Sequence, residues 1–256
     1  MVQGPISPAD LCGAHGEVHF KKDVAIKVCH ELTMAEQEER CSLWADENLH
    51  HYVPRFYRRD KTRLYMQRIR GCTLHQIQGR INERQFCRVA VQLLDLLCQM
   101  HQAQVVHGDL QLRNMMLDYG ANLFVIDWAV LRPTHTKIED LDELFPSLYR
   151  PPEMLLRRQW ESTCQMEWYT AGWCLYQLWW GKLPTHLSSE GSLEKWLRNP
   201  QTPNLPKMPP IVRYVIGSMI ATQPYLRAYP EVIYHNVVTY ARTKKWKEAT
   251  PKIGGL

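Results

Sequence analysis

Apolar and polar positions along this chain change their spacing partway, and the change divides it. Residues 11–28, "LCGAHGEVHFKKDVAIKV", alternate about a short polar turn, which predicts a strand, a tight turn and a second strand carrying a Lys at its end. Residues 33–49 are charged, with apolar positions at helical steps, and predict a helix. "RFYRRDKTRLYMQRI" reads as a hairpin with a polar turn. From "INERQFCRVAVQLLDLLCQMHQ" onward a stripe of Leu and Val predicts a long amphipathic helix. "NMMLD" and "LFVIDWA" are expected as short strands around the turn "YGAN". After a Pro-rich loop, "MEWYTAGWCLYQLWW" is apolar on nearly every side, so it predicts a buried helix, and further helices follow at about 192–198, 210–221 and 230–241. Strands first and helices later is the α+β pattern with two segregated parts. The turn-like "RGCTL" near Arg70–Leu74 sets the boundary, giving a small β-rich part over 1–70 and a larger helical part over 71–256.

Composition narrows the setting. A chain of 256 residues, 45% of them hydrophobic, can build the core of one large domain or two lobes. "MVQGPISPADL" lacks both the charged start and the apolar centre of a signal peptide, and no apolar run nears the roughly 20 residues that span a bilayer, so no membrane partner is expected. The eight Cys are scattered singly with no CxxC pair, which fits a reducing, cytoplasmic setting better than a zinc ribbon or disulfide scaffold. Net charge is +5, and the basic runs "RRDKTR" and "RTKKWK" read as solvated faces, so no nucleic-acid partner is expected.

The chemistry concentrates in "VVHGDLQLRNMMLDYGANLFVIDWA", residues 105–129. Asp109 follows one apolar run closely and Asp127 ends another. A carboxylate in such a place is costly unless a cation meets it.

The order of these features resembles the protein kinase superfamily, from about Leu11 to Arg227. "VAIKV" matches the strand whose Lys holds nucleotide phosphates, which implies that role for Lys27. "HGDLQLRN" matches the catalytic loop, implying Asp109 as base and Asn114 as metal ligand. "IDWA" stands where the family has D-F-G, so Asp127 would ligate Mg²⁺, while "YRPPE" matches A-P-E and implies a pair between Glu153 and Arg227 of "QPYLR". The resemblance thus implies a two-lobed kinase-like fold, ATP and Mg²⁺ as cofactors, and a protein substrate acted on by a monomer. Gly13, Gly16 and Val18 would cover the phosphates. Val18 and Ala25 would lie above the adenine and Met116 below it, with Met66 as gatekeeper and Gln67–Ile69 as hinge. His107 is expected to be a packed support of the loop. Among Glu31, Glu36, Glu38 and Glu39, Glu39 is expected to hold Lys27 because Leu43, one turn on, would then meet Trp128; Glu38 is the alternative.

Departures from the family pattern refine these expectations. Leu11 replaces the first Gly of the phosphate-covering loop, and the hairpin before Lys27 is short. Gly108 replaces the Arg that normally receives an activation-loop phosphate, and Glu139, Asp140, Asp142 and Glu143 would repel one, which implies activity without loop phosphorylation. Thr134, Thr136 and Ser147 are candidate acceptors whose modification is not the switch; Leu141, Leu144 and Phe145 would hold the loop by packing. Trp128 and Ala129 replace Phe-Gly, and Glu167 replaces the Asp that caps the buried helix. Gln111 stands where Ser/Thr kinases have Lys, whereas Arg113 and "FP" are similar to tyrosine kinases; Ser/Thr is read ahead of Tyr. "HGD" also occurs in small-molecule phosphotransferases, and Leu11, Ala129 and Gly108 would suit a non-catalytic binding scaffold, so both remain alternatives. A compact kinase of this kind resembles bacterial effector or viral kinases, which would put it in a host cytosol.

Overall fold

The structure is a computed structural model that describes residues 12–13, 16–49, 51–139, 145–156, 161–187, 190–197, 205 and 207–244. Leu11, Asp140, Leu141, Asp142, Glu143 and Leu144, named above, lie outside these. Contacts group the described residues into two compact units, one within residues 12–72 with 116–129 and the other within residues 73–115 with 130–244.

In the first unit, β1 (Cys12–Gly13), β2 (Gly16–Lys21), β3 (Val24–Val28), β4 (Phe56–Asp60) and β5 (Arg63–Gln67) form an antiparallel sheet in the order β1-β2-β3-β5-β4. Lys22 (φ 53°) and Lys61 (φ 52°) take the left-handed conformation that turns each hairpin tightly. Side chains alternate across β3, so Ala25 and Lys27 face one side while Val24, Ile26 and Val28 face the other. α1 (Leu32–Leu49) packs on β4 and β5, burying Ala35, Glu38, Ser42, Ala45 and Leu49. Cys29, Ala35, Phe56 and Leu64, with Met34 and Met66 against them, form the core beneath it. A second, three-stranded sheet orders β6 (Gly71–Thr73), β8 (Met115–Asp118) and β9 (Leu123–Val125). Gly71 is required there, because a Cβ would lie 1.8 Å from the Leu117 carbonyl oxygen. The "YGAN" turn is closed by the Asp118 carboxylate, which accepts from Asn122 N at 2.8 Å and Nδ2 at 2.9 Å.

The second unit is helical: α2 (Leu74–Ile77), α3 (Glu83–Gln102), α4 (Pro152–Leu155), α5 (Cys164–Trp180), α6 (Glu190–Leu197), α7 (Pro210–Met219) and α8 (Pro230–Thr243). Asn82 and Gln85 form a reciprocal capping box that starts α3 at the position "INERQ" suggests. Thr163 caps α5, and Gly181 ends it in the left-handed conformation (φ 77°). α5 is buried on most sides because α3 and α7 both pack on it. Val105–Val106 (β7) pairs with Arg132–Pro133 (β10). No helix among the described residues is long and apolar enough to cross a membrane.

The side chains of seven of the eight cysteines are described, all as free thiols, and six of these are buried. Burial pushes the thiols of Cys29 and Cys87 up to about 11, and those of Cys98 and Cys164 up to about 12.

Candidate active site

Each unit carries its own cluster of the residues that the sequence singles out. In the first unit, β3 presents Lys27 with Val18 and Leu64 opposite it on the neighbouring strands, and Ala25 with Met66 opposite. Val18, Ala25, Lys27 and Met66 therefore share one face of the sheet. Gly13 pairs with Gly16 across β1 and β2. Met116 is half-buried on β8, and Ile69 follows β5, also half-buried. Gln67 closes β5 against β4, with its N–H donating to Arg55 O at 2.8 Å and its Oε1 accepting from Arg55 N at 3.2 Å.

The Lys27 ammonium, nearly buried, donates to Glu38 Oε1 at 2.7 Å and to Asp127 Oδ1 at 2.8 Å. Burial opposes its charge, but the carboxylates of Asp127 and Glu38 overcome that and hold its pKa above the ordinary value. Glu38, not Glu39, is thus the partner of Lys27, which corrects the expectation above. Glu39 instead meets Arg59 Nε at 2.6 Å, and Leu43 is 40% exposed. Helical geometry gives the reason. At about 100° per residue, positions 38 and 42 fall within the stripe marked by Ala35, Ala45 and Leu49, while 39 and 43 rotate out of it. The pattern misled because the inner face carries Ala, Glu and Ser, and the more apolar Leu43 lies outside.

Asp127 takes the left-handed conformation (φ 64°), which L-residues rarely adopt. Trp128 is fully buried and its indole N–H donates to Val125 O at 2.9 Å. The Ala129 carbonyl accepts from Gln37 Nε2 at 2.8 Å and from the Cys41 thiol at 3.9 Å. A void of only about 10 Å³ remains among Glu38, Ser42, Phe56, Met66, Asp127 and Trp128.

In the second unit the catalytic-loop motif folds about His107, which is fully buried and accepts the Asp109 N–H at Nδ1, 3.1 Å. The Asp109 carboxylate accepts from Gln111 Nε2 (2.9 Å to Oδ1, 3.1 Å to Oδ2) and from Asn114 Nδ2 (2.7 Å to Oδ2). Asn114 Nδ2 also reaches the Asp109 carbonyl at 3.0 Å. With its amide nitrogen so engaged, Asn114 keeps its carbonyl oxygen as its remaining polar group. Asp109 and Asn114 are thus in direct contact. The hold that Gln111 exerts on Asp109 was not read from sequence; its amide, two residues on, was the available signal.

Gly108 has φ 82°, a conformation strained for any other residue. Its N–H donates to Glu167 Oε2 at 3.1 Å, and its carbonyl accepts from Phe145 N at 2.6 Å. The Phe145 carbonyl in turn accepts from Arg150 Nε at 3.0 Å, while the ring packs with Ile138, Met154 and Met166. The segment after Asp127 is therefore anchored at Phe145 by backbone bonds and apolar packing. Further on, Glu153 and Arg227 form a bidentate pair, Nη1–Oε1 at 2.6 Å and Nη2–Oε2 at 2.7 Å, with Arg227 only 3% exposed. Arg227 also donates to the Gln165 and Ala221 carbonyls at 2.8 and 2.9 Å, and its guanidinium lies over Tyr169.

Glu167 is wholly buried, and burial raises its pKa to about 7 despite the backbone N–H groups of Gly108 and His107; the Asp109 charge pushes the same way as burial. An acid whose pKa is higher folded than unfolded contributes fully below the unfolded value, near 4.5, and loses that contribution as pH rises toward 7. The loss is about 3 kcal/mol by linkage. Glu167→Gln, which keeps an acceptor for Gly108, should therefore flatten the fall in stability between pH 5 and 8. Urea unfolding of both proteins at each pH measures this, and equal slopes would show that Glu167 titrates normally.

The chain matches the protein kinase domain family over residues 17–238. It therefore belongs to the protein kinase family, and the α+β arrangement of a strand-rich first unit and a helical second one agrees with this. It is 23% identical over 178 residues, 69% of its length, to Serine/threonine-protein kinase 36 of Pongo abelii, of which the match covers 13%. It is 28% identical over 123 residues, 47% of its length, to Serine/threonine-protein kinase 1 of Lymantria dispar multicapsid nuclear polyhedrosis virus, 42% of which is covered. With PrkC of Bacillus subtilis (strain 168) it shares 24% identity over 173 residues, 64% of this chain and 26% of that one. The chain thus spans less than half the length of each of these relatives.

Proposed function

We propose that this chain transfers the γ-phosphate of ATP to a protein hydroxyl, Ser or Thr ahead of Tyr, with Mg²⁺. The observation that carries the reading is the buried Lys27 ammonium shared between Glu38 and Asp127. A held cation of this kind meets the charge of a nucleotide's phosphates, and a scaffold with no such chemistry would have little use for two carboxylates converging on one buried Lys. Each residue by its own chemistry suits a hard divalent cation: Asp127 carries carboxylate oxygens and Asn114 an amide carbonyl, the kinds of donor that Mg²⁺ prefers. When bound, Mg²⁺ neutralises phosphate charge. Asp109 orients the acceptor hydroxyl and takes its proton while the new P–O bond forms and the bond to ADP breaks. Gln111 and Asn114 hold the Asp109 carboxylate for that task. The Ser/Thr preference is supported by the names of the relatives.

The same reading holds that activity needs no phosphate on the activation segment. Gly108 has no side chain to receive one, and Phe145 is already anchored to its carbonyl and packed into the unit. The test is label transfer from γ-labelled ATP onto a protein mixture, with the enzyme first treated with phosphatase and shown by mass to be bare. Label on protein at an undiminished rate is expected. Label on small molecules alone, or none, overturns the transfer reading. A drop of more than about tenfold on dephosphorylation, equivalent to roughly 1.4 kcal/mol in barrier, overturns the unphosphorylated-activity reading alone.

A further inference from the structure

The turn at residues 127–129 is held by more than the Lys27 bridge. Asp127 adopts a left-handed backbone with a Cβ present, a conformation that costs on the order of 1 kcal/mol and so persists only where its surroundings impose it. The ties come from one stripe of α1. Glu38 reaches the Asp127 carboxylate through Lys27, and Gln37 and Cys41, four residues apart on the same helix, both donate to the carbonyl of Ala129. One helix therefore grips the turn at two places, its side-chain end and its backbone end. Between them, the Trp128 indole is buried and bonded to Val125 O, which fixes the middle of the turn to its own strand.

We propose that Gln37 is a positioning residue for Asp127: its amide, by holding the Ala129 carbonyl, keeps the Asp127 carboxylate where it can take a divalent cation. The inference rests on the proposed role of Asp127 and adds to it a residue that acts through the backbone. Of the two donors to Ala129 O, Gln37 is the stronger, since a thiol at 3.9 Å is a weak partner and an amide at 2.8 Å is an ordinary hydrogen bond. Gln37 is exposed, so its removal leaves no cavity, and the half-buried Ala129 is left with only the weak Cys41 donor of the two.

The experiment compares the parent protein with Gln37→Ala, Gln37→Lys and Asp127→Ala, in three measurements. Fluorescent ADP binding is titrated with Mg²⁺, amide exchange at residues 127–129 is followed without nucleotide, and thermal melts are recorded. Gln37→Ala is expected to need about tenfold more Mg²⁺ for half-maximal binding, the size of one lost hydrogen bond, and to exchange faster at 127–129 with an unchanged melt. Gln37→Lys retains a donor and should restore both. Loss of Mg²⁺-dependent binding in Asp127→Ala, with Gln37→Ala like the parent, overturns this inference and leaves the role of Asp127 standing. A weakened Gln37→Ala whose exchange at 127–129 is unchanged also overturns it. Undiminished Mg²⁺-dependent binding by Asp127→Ala overturns the metal role itself.

Discussion

Asp109→Asn should lower the rate of phosphoryl transfer by roughly 10²–10⁴-fold, the usual share of a general base, while nucleotide affinity changes little. The substitution preserves the size of the side chain and an acceptor oxygen for Gln111 and Asn114, whose amides now bond both carboxylate oxygens. What it removes is the ability to take the acceptor's proton. The complementary variant, Asp127→Ala, acts on the other side of the reaction. It takes away an oxygen donor and one of the two carboxylates on Lys27, and should abolish Mg²⁺-dependent nucleotide binding before any chemistry occurs. Initial rates on a protein substrate, set beside nucleotide titration for each variant, separate the two effects. Full transfer activity in purified Asp109→Asn would remove Asp109 from the reaction.

The second large effect is on stability. Arg227→Ala or Glu153→Ala should each cost roughly 3–5 kcal/mol, because either leaves its partner charged, desolvated and unanswered. Arg227 has the larger number of connections: besides the bidentate Glu153 contact it bonds the Gln165 and Ala221 carbonyls and covers the Tyr169 ring. It joins α4, the start of α5 and the segment after α7 within one unit. A fall in Tm of roughly 10 °C is the expected scale for a domain of this size. The double variant should lose less than the sum of the two, since the second truncation removes the orphaned charge left by the first. An Arg227→Ala protein that melts with the parent would mean that the pair is not formed in solution.

Much of this was legible in linear order because its geometry is local. The bonds from Gln111 and Asn114 to Asp109 fall within "HGDLQLRN", where the three are near neighbours in the chain. The hairpins, α3 with its capping box and α5 with its unbroken apolar surface are likewise set by adjacent residues. The partner of Lys27 was not legible in this way. It depends on the rotation of α1 about its own axis, and the inner face of that helix is marked by two Ala, a Glu, a Ser and a single Leu at its end, too weak an apolar signal to fix the rotation. The bond from Phe145 to Gly108 and the hold of Gln37 on Ala129 were invisible for a further reason. Both end on a backbone carbonyl, and carbonyls are the same at every position in a sequence.

The buried cysteines give the chain a record of its own breathing. A maleimide or disulfide reagent reacts with thiolate, and in Cys29, Cys87, Cys98 and Cys164 burial both raises the thiol pKa and shields the sulfur from contact. At neutral pH each of these sulfurs can react at an appreciable rate only while its surroundings are open. They lie just after β3, within α3 and at the start of α5. The labelling rate at each, read by mass after digestion, therefore converts directly into the local free energy of opening, with no residue introduced for the purpose.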